Sequence, residues 1–207
     1  MIKVKVDRIR EADLPILSIL LNAAWGSLLR HDLPVLRARF ASGQLFVVAR
    51  DHPTPAERHH LKHAHRLIVH ESALIPLGIL ETIDLQTSGD PCHISRTYHS
   101  MTENGRWRTS RPDSDTLILV DLTVAESRRS EGIAGQLLRG GLLVRPPNLI
   151  HAMTYSPARP EVVAWHEHHG ATSTGFRING ARPGHDPPDV IVMRYPSRAP
   201  SDTDTGN

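Results

Sequence analysis

The sequence contains one cysteine, no long apolar run and almost no net charge, and each shortage excludes a class of protein. Cys92 has no second cysteine to pair with, so an internal disulfide is excluded, as is typical of a reducing compartment. No apolar stretch approaches the length that spans a bilayer, and the N-terminus lacks the apolar core of a signal peptide. We therefore expect a cytoplasmic protein with no membrane partner.

The charge balance predicts no nucleic-acid partner. The 24 basic and 22 acidic residues give a formal net charge of +2, although the sequence pI is about 9.0. The basic residues form no dense stripe with interleaved aromatic side chains, which is the pattern expected of a nucleic-acid-binding surface.

The length and composition predict one soluble globular domain. The chain has 207 residues, of which 39% are hydrophobic, and this is enough to bury a sizeable core. Its 16 prolines and 14 glycines predict many loops. We predict a single domain over residues 1–195 and a small, polar, disordered tail over residues 196–207.

The most informative stretch is Leu117–Leu138, which reads LILVDLTVAESRRSEGIAGQLL. Its first part, Leu117–Val124, is apolar and rich in β-branched residues, which predicts a strand crossing a core. The next part, Ala125–Ser130, is short and polar, and from Gly132 onwards the apolar residues recur at helical spacing. The predicted order is therefore strand, polar turn, helix.

The start of this predicted helix has the chemistry of an anion site. Gly132, Ala134 and Gly135 leave the first backbone N–H groups of the helix with almost no side-chain cover. Those groups have no partner inside the helix, and they lie at the positive end of its dipole. Arg128 and Arg129, just upstream, can add charge-assisted contacts to a phosphate. An ordinary strand-to-helix turn, with small residues for close packing, is the open alternative.

The loop Arg129–Ala134 resembles a known phosphate motif. It has no Gly-Lys-Ser/Thr ending and no GxGxxG spacing, which excludes the P-loop and the dinucleotide fingerprint. It is similar to the Arg/Gln-x-x-Gly-x-Gly/Ala pyrophosphate loop of the GNAT superfamily of acyl-CoA-dependent N-acyltransferases. This resemblance implies that the loop amides bind the coenzyme A pyrophosphate and that the preceding strand pairs with the pantetheine arm. The residues implied to bind acetyl-CoA, or another acyl-CoA, as co-substrate are Leu122, Thr123, Val124, Arg128, Arg129, Ser130, Glu131, Gly132, Ile133, Ala134 and Gly135.

A second segment, Ala164–Ala171, resembles the GNAT pattern Ala-x-x-Phe-Tyr-x-x-x-Gly-Phe, with Trp165 in place of the Phe and His166 in place of the Tyr. The two motifs together imply a GNAT fold. The implied fold class is α/β (α+β), with a mixed, mostly antiparallel central sheet that has splayed central strands and is flanked by helices.

Periodicity predicts further elements at Ile2–Ile9 (strand), Leu33–Phe40 (helix), Leu45–Ala49 (strand), Leu67–Val69 and Leu74–Ile83 (strands), Asn148–Thr154 (strand), Pro160–His169 (helix with Val162, Val163 and Trp165 buried), Phe176–Ile178 and Val190–Tyr195 (strands).

Two segments depart from the usual GNAT pattern. The insertion at residues 51–65 contains His59, His60, His63 and His65, and a helix there places His59 and His63 on one face. No acidic or cysteine ligand completes a set, so we predict a solvated insertion and no metal. The irregular stretch Thr87–Asp115 is interpreted as a loop closing over the acceptor site, with a surface excursion as the open alternative.

Acyl transfer to an amine needs a base, oxyanion donors and an acid for the leaving thiolate. By analogy with the family, the backbone N–H groups near Leu122–Val124 serve as oxyanion donors. Asp121 is the candidate that deprotonates the amine through water, and a solvent-facing strand carboxylate is its alternative. Glu81 and His99 are lower-ranked base candidates.

Three side chains compete for the role of thiolate acid. His166 stands where relatives carry tyrosine, and an imidazolium donates a proton near neutral pH. Its alternative role is a cation at a helix end. Tyr155 and Ser156, placed just past the predicted fifth strand, are the competing candidates.

The predicted reaction moves an acetyl or other short acyl group from acyl-CoA to an amine of a small molecule or peptide, and a homodimer is compatible with the sequence. Two alternatives stay open. Looser similarity to GNAT-like domains of polyketide-type systems suggests a malonyl-thioester decarboxylase or S-acyltransferase acting with a carrier protein, for which Thr123, Thr154 and His151 are available. The absence of the expected tyrosine suggests a non-catalytic acyl-CoA sensor.

Overall fold

A computed structural model describes residues 3–25, 31–41, 46–93, 113–180 and 189–197. Its helices and strands are β1 (Lys5–Arg8), α1 (Leu14–Trp25), α2 (Leu33–Ala41), β2 (Phe46–Asp51), α3 (Pro55–His65), β3 (Ile75–Leu85), β4 (Thr116–Val124), α4 (Ile133–Val144), β5 (His151–Pro157), α5 (Pro160–His168), β6 (Thr172–Ile178) and β7 (Val190–Tyr195). Within these ranges, no helix combines the length and the apolar character needed to cross a bilayer.

The strands form a mixed sheet in the order β1-β2-β3-β4-β5-β7-β6. The β1–β2, β5–β7 and β6–β7 pairs are antiparallel, and the β4–β5 pair is parallel. A mixed, mostly antiparallel sheet flanked by helices is the architecture predicted from the sequence.

The chain divides into two compact units, and β3, β4, the end of α2 and the end of α4 are divided between them. The first unit comprises the described residues within 1–40, 46–80 and 122–141, and the second comprises those within 41–45, 81–121 and 142–207. Each unit has its own apolar cluster. The cluster of the first unit contains Leu14, Leu17, Leu20, Leu21, Leu36, Val48 and Ile79. The cluster of the second contains Ile83, Leu85, Ile118, Met153, Ile178, Val190 and Val192.

Helix α1 forms because its leucines recur at helical spacing and bury on one face. Leu14, Leu17 and Leu21 are at most 2% exposed, and they pack in the same cluster as Val48 of β2. Each fully buried leucine contributes about 1.5–3 kcal/mol relative to an exposed one. Burial of this stripe therefore holds α1 against the sheet of the first unit.

A buried ion pair fixes the entry into α1. The Arg50 guanidinium of β2 pairs with the Asp13 carboxylate and also donates to the Arg8 carbonyl oxygen at 2.9 Å. Asp13 in turn accepts from the Arg10 backbone N–H at 2.7 Å, as a capping residue does. Both side chains are buried, so each charge is compensated by its partner, and removing either one would leave an unpaired charge in the interior.

Glycine on β3 lets α4 lie close to the sheet of the first unit. A Cβ atom at Gly78 would lie 2.9 Å from Leu137 Cδ1 of α4 and 2.9 Å from the Thr123 carbonyl oxygen of β4. Both distances are shorter than a van der Waals contact, so a side chain at this position would push the helix or the strand away.

Two glycines on α4 continue this close approach. A Cβ atom at Gly140 would collide with Val6 of β1, and one at Gly141 would collide with Leu80 of β3. Helix α4 is therefore held against the sheet through positions that have no side chain.

In the second unit, β5 pairs with β4 over a shorter length than with β7. The β4–β5 ladder contains four residue pairs, from Thr116↔His151 to Leu119↔Thr154. The β5–β7 ladder contains six pairs and continues to Pro157↔Val190. Strand β5 thus continues for three residues beyond the end of its ladder with β4.

The structure differs from the sequence predictions in one strand, in the place of β3 in the sheet and in the burial of α5. Residues 67–69 form no strand, and Ile68 is 89% exposed. Pro76 and Gly78 suggest an edge strand or a bulge, whereas β3 lies between β2 and β4 in the sheet order; the proline is the second residue of the strand, where a missing N–H is tolerated. No residue of α5 is fully buried, and Val162, Val163 and Trp165 are half-buried.

Candidate functional site

The strand, polar turn and helix predicted around Gly132 are present. Strand β4 ends at Val124, a 3₁₀ turn covers Glu126–Arg128, and α4 begins at Ile133. The loop between them turns through two left-handed residues, Ser130 at φ 72° and Gly132 at φ 80°. Glycine adopts this conformation freely, whereas serine does so at a cost of about 1–3 kcal/mol.

The N-terminus of α4 has backbone donors that find no partner within the helix. The Gly132 carbonyl oxygen accepts the first bond of the helix, from the Gln136 N–H at 3.3 Å. Helix geometry then leaves the N–H groups of Ile133, Ala134 and Gly135 without an acceptor in the helix. Gly132 itself is exposed, so the positive end of the dipole faces solvent. This arrangement fits an anionic group such as a diphosphate.

The two loop arginines occupy different environments. Arg129 is exposed beside the N-terminus of α4, where it is open to an anion. Arg128 is 7% exposed, and it donates through Nε and Nη2 to the two oxygens of Glu57, at 2.8 and 2.9 Å. Its Nη1 lies 3.7 Å from Asp51 and 3.5 Å from Glu131. The Arg128 guanidinium is therefore directed at carboxylates and anchors the loop to α3.

Glu57 accepts four hydrogen bonds on one carboxylate. Oε1 accepts from Arg128 and from the Ser127 hydroxyl at 2.9 Å, and Oε2 accepts from Arg128 and from the Thr54 backbone N–H at 2.8 Å. Partial burial alone would raise the pKa of Glu57, but the bonds from Arg128, Thr54 and Ser127 outweigh it and lower this pKa from 4.5 to about 2. The same contact raises the pKa of Arg128 above its ordinary value. Both side chains therefore carry full charge at neutral pH.

The end of β4 is the segment that, according to the GNAT resemblance, pairs with the pantetheine arm. Leu122 and Val124 are half-buried, and Thr123 is 6% exposed. The Ala125 backbone N–H donates to the Leu77 carbonyl oxygen of β3 at 2.8 Å, which fixes the point where β4 turns into the loop. Asp121, the candidate base, is half-buried on the same strand.

His166 of α5 forms a short hydrogen bond with a tyrosine that the sequence analysis did not select. Its Nδ1 lies 2.6 Å from the hydroxyl oxygen of Tyr195, which is 1% exposed. Burial and then the nearby His169 lower the pKa of His166 from 6.5 to about 4, and burial raises the pKa of Tyr195. At pH 7 only roughly one His166 imidazole in a thousand is then charged. The low pKa, which partial burial of the imidazole causes, disfavours an imidazolium donor at neutral pH.

Tyr155 and Ser156 lie inside β5, and not just past it as predicted. They pair with Val192 and Ile191 of β7, and this pairing extends the strand to Pro157. Ser156 is fully buried, and its hydroxyl donates to the Pro157 carbonyl oxygen at 3.1 Å. Tyr155 is half-buried against the apolar cluster of the second unit.

The residues considered for decarboxylation do not converge within the second unit. His151 and Thr154 are three positions apart on β5, so their side chains point to opposite faces of the sheet. The Thr154 hydroxyl is buried and donates to the Leu119 carbonyl oxygen at 3.1 Å. This hydroxyl is thus occupied by the strand next to it.

The histidine-rich segment predicted as an insertion forms helix α3. The His59 and His63 rings lie side by side as predicted, with centroids 4.3 Å apart. Among the described residues, no group of three or more His, Cys, Asp or Glu side chains could hold a metal ion. The insertion is in contact with more than solvent, because Glu57 bonds to Arg128 in the loop Ala125–Gly132, which we call the anion loop.

Of the lower-ranked base candidates, Glu81 is buried and His99 lies outside the described residues.

Glu57 and Tyr195 were missed for different reasons. Thr54 and Glu57 form a capping box at the start of α3, and the Thr-x-x-Glu spacing was readable in the sequence. Its contact with Arg128, 71 positions away, was not readable. Tyr195 lies 29 positions from His166, in an apolar stretch that indicated a strand and nothing else.

Comparisons with known proteins identify the fold. No protein-family model and no curated protein matches the sequence. Solved structures do match, and those described below are GNAT or GNAT-like proteins. The chain therefore has the GNAT fold, as the two sequence motifs implied.

Three of these structures illustrate the likeness. The GphF GNAT-like decarboxylase in complex with isobutyryl-CoA has a TM-score of 0.64 at 19% identity, over 93% of this chain and 98% of that one. The loading GNATL domain of CurA from Lyngbya majuscula has a TM-score of 0.64 at 11% identity, over 94% and 98%. A GNAT superfamily phosphinothricin acetyltransferase from Sinorhizobium meliloti in complex with AcCoA has a TM-score of 0.58 at 13% identity, over 98% and 95%.

Proposed function

We propose that the protein is an acyl-CoA-dependent acyltransferase that moves an acetyl or other short acyl group to an amine of a small molecule or peptide. The observation that carries the proposal is the exposed, glycine-led N-terminus of α4 at the end of β4. Solved structures of the same fold contain isobutyryl-CoA and AcCoA, which supports an acyl-CoA co-substrate.

In this proposal the loop and the end of β4 hold the co-substrate. The N–H groups of Ile133, Ala134 and Gly135 bind the diphosphate, and exposed Arg129 adds a charge-assisted contact. The backbone of Leu122–Val124 pairs with the pantetheine arm. The diphosphate carries the negative charge that the helix dipole and Arg129 favour.

The chemistry is a nucleophilic acyl substitution. The amine nitrogen forms a bond to the thioester carbonyl carbon, the C–S bond breaks, and the sulfur leaves as a thiolate that takes up a proton. Asp121 is the proposed base that accepts the amine proton through water. Backbone N–H groups of Leu122–Val124 are the proposed donors to the oxyanion.

The proposed acid for the thiolate is Tyr155. A phenol keeps its proton at neutral pH, whereas the Ser156 hydroxyl is buried and already donates to a carbonyl oxygen. His166 stays a second candidate through its imidazolium form, which is a minor species at neutral pH. Tyr155→Phe and His166→Gln, assayed for release of free coenzyme A, distinguish the two by which one lowers kcat.

A thermal-shift screen against acetyl-CoA, malonyl-CoA and longer acyl-CoAs tests the proposal. A ligand that binds only the folded state stabilises it by mass action, and the unfolding midpoint rises. At a ligand concentration one hundred times the Kd, the apparent free energy of unfolding increases by about 2.7 kcal/mol. Gly132→Asp should abolish the shift, because it places a carboxylate where the diphosphate binds and strains a backbone with φ 80°. Gly180→Asp, at another exposed glycine with positive φ, is the control for strain alone. Wild-type protein that shows no shift with any acyl-CoA would contradict the proposal.

Two other outcomes would replace the acyltransferase assignment. Conversion of malonyl-CoA to acetyl-CoA without added amine would favour the decarboxylase alternative, for which the fold of the GphF decarboxylase is a precedent. Tight acyl-CoA binding with no turnover over a broad panel of amines would favour the sensor alternative.

A further inference from the structure

Helix α3 lies in an insertion, yet one of its side chains is bonded directly to the loop that leads into α4. The Glu57 carboxylate accepts hydrogen bonds from Nε and Nη2 of Arg128 and from the Ser127 hydroxyl. Arg128 closes the contact from the other side by donating to the His52 carbonyl oxygen at 3.1 Å, just before α3. The loop is thus tied to the insertion by side chains that are largely buried.

We infer that Glu57 is a positioning residue for the anion loop: by holding Arg128 and Ser127, it sets the place of the Glu126–Gly132 backbone, which leads into the helix N-terminus that binds the diphosphate of acyl-CoA. This inference rests on the proposed function for the identity of the ligand. The contact itself does not depend on the ligand.

The geometry favours positioning over general stabilisation. Arg128 is the last residue of the 3₁₀ turn and lies four positions before Gly132, so its location determines where the loop can start. Ser130, between them, is held at a strained φ of 72°. A residue in this conformation persists only where its surroundings fix the backbone on both sides. Helix α4 fixes the loop on one side, and the Glu57 contact fixes it on the other.

The Thr54 contact makes α3 and the loop one cooperative structure. The Glu57 carboxylate accepts the Thr54 backbone N–H while the Glu57 N–H donates to the Thr54 hydroxyl at 3.2 Å, so the same side chain caps α3 and holds the loop. The histidine-rich helix therefore acts as a support for the anion loop.

Glu57→Gln tests the inference with little disturbance to α3. Glutamine has the same shape and is accepted at this position of a capping box, but it has no charge and only one acceptor oxygen for the Arg128 fork. Ile178→Val, a mild core change in the second unit, controls for loss of stability. Glu161→Gln, an exposed glutamate in the first turn of α5, controls for the loss of a charge.

Two measurements decide the result. In ligand-free protein, hydrogen exchange of the bonded amides on either side of Gly132, those of Arg128, Arg129 and Gln136, should accelerate about tenfold in Glu57→Gln and stay unchanged in both controls. The Kd for acetyl-CoA, measured by calorimetry, should rise about tenfold in Glu57→Gln and less than twofold in the controls. If Glu57→Gln does not fold, Ser127→Ala removes one donor to the same carboxylate and should change both quantities in the same direction by about threefold.

The outcomes separate this inference from the proposed function. Unchanged exchange of the loop amides, or an equal loss of affinity in Ile178→Val, overturns the positioning role. Wild-type protein that binds no acetyl-CoA overturns the proposed ligand, whereas the exchange measurement still decides whether Glu57 holds the loop.

Discussion

Gly78→Ala probes how closely α4 must approach the sheet for the anion loop to be in place. The added methyl group would lie 2.9 Å from the Thr123 carbonyl oxygen, 2.9 Å from Leu137 Cδ1 and 3.3 Å from Val124 Cγ2. The leucine can turn away, but the carbonyl oxygen belongs to the backbone of β4 and cannot move without shifting the strand. The substitution therefore displaces the strand that we propose pairs with pantetheine.

The magnitude follows from two opposing effects. Overpacking of this kind costs about 1–3 kcal/mol. Replacing a strand glycine by alanine returns about 0.5–1 kcal/mol, because the unfolded chain has less conformational freedom to lose. We expect a net loss of about 1–2 kcal/mol in the free energy of unfolding. The Kd for acetyl-CoA should rise as well, because Thr123 and Val124 move.

Gly141→Ala is the matched control for this prediction. Its methyl group would lie 2.4 Å from Leu80 Cδ2, so the obstacle is a buried side chain and not the backbone of a strand. Alanine inside a helix gains about 1 kcal/mol over glycine, which offsets part of the cost of moving Leu80, and we therefore expect a smaller loss of stability than in Gly78→Ala. Urea unfolding of the three proteins, with calorimetry against acetyl-CoA, provides the comparison. A Gly78→Ala protein as stable as wild type, or a Gly141→Ala protein that is the less stable of the two, would refute the packing argument.

Further predictions concern the buried histidines. Tyr195→Phe leaves Nδ1 of His166 without its hydroxyl partner and should cost about 1–3 kcal/mol, read as a lower urea midpoint; an unchanged midpoint would show that the 2.6 Å contact contributes nothing. Stability should fall as the pH drops from 6.5 to about 4, because His166 and His31 have pKa values near 4 in the folded state and near 6.5 when unfolded. Protons then bind the unfolded chain preferentially. The contribution of the two histidines levels off below pH 4, where the lowered pKa of Glu57 continues the loss towards about pH 2. His31→Gln should reduce this slope, and urea titrations at several pH values that show the same slope in both proteins would contradict the assignment. His31 itself is 2% exposed beside Arg39, so its burial, together with that positive charge, is the cause of its low pKa.

Local pattern predicted the parts of the fold that depend on neighbours in sequence. The strand at Leu117–Val124 and the helix after Gly132 were predicted because the apolar period changes from continuous to helical within a few residues. Gly170, two residues after the end of α5, has a φ of 89°, which is the left-handed conformation that a glycine supplies after a helix. These features depend on backbone preference and on residues a few positions apart.

Contacts between distant positions were not predictable from one sequence. The start of β5 was placed at Asn148 from its apolar run, whereas the strand begins at His151 and is extended through Pro157 by pairing with β7. The Arg128–Glu57 pair needed both the capping box and the docking of α3, and only the first of these has a sequence pattern. Glu57 was not conspicuous, because exposed charges on helices and loops are usual, and Arg128 was assigned to a phosphate.

The glycines beneath α4 also bear on how a ligand is received. Because Gly78, Gly140 and Gly141 let this helix lie close to the strands, its position is fixed by tight packing against neighbouring side chains and backbone. A receptor already in shape loses little conformational entropy when it captures its ligand. We therefore expect acyl-CoA association to be accompanied by a small unfavourable entropy and by no ordering of the diphosphate loop.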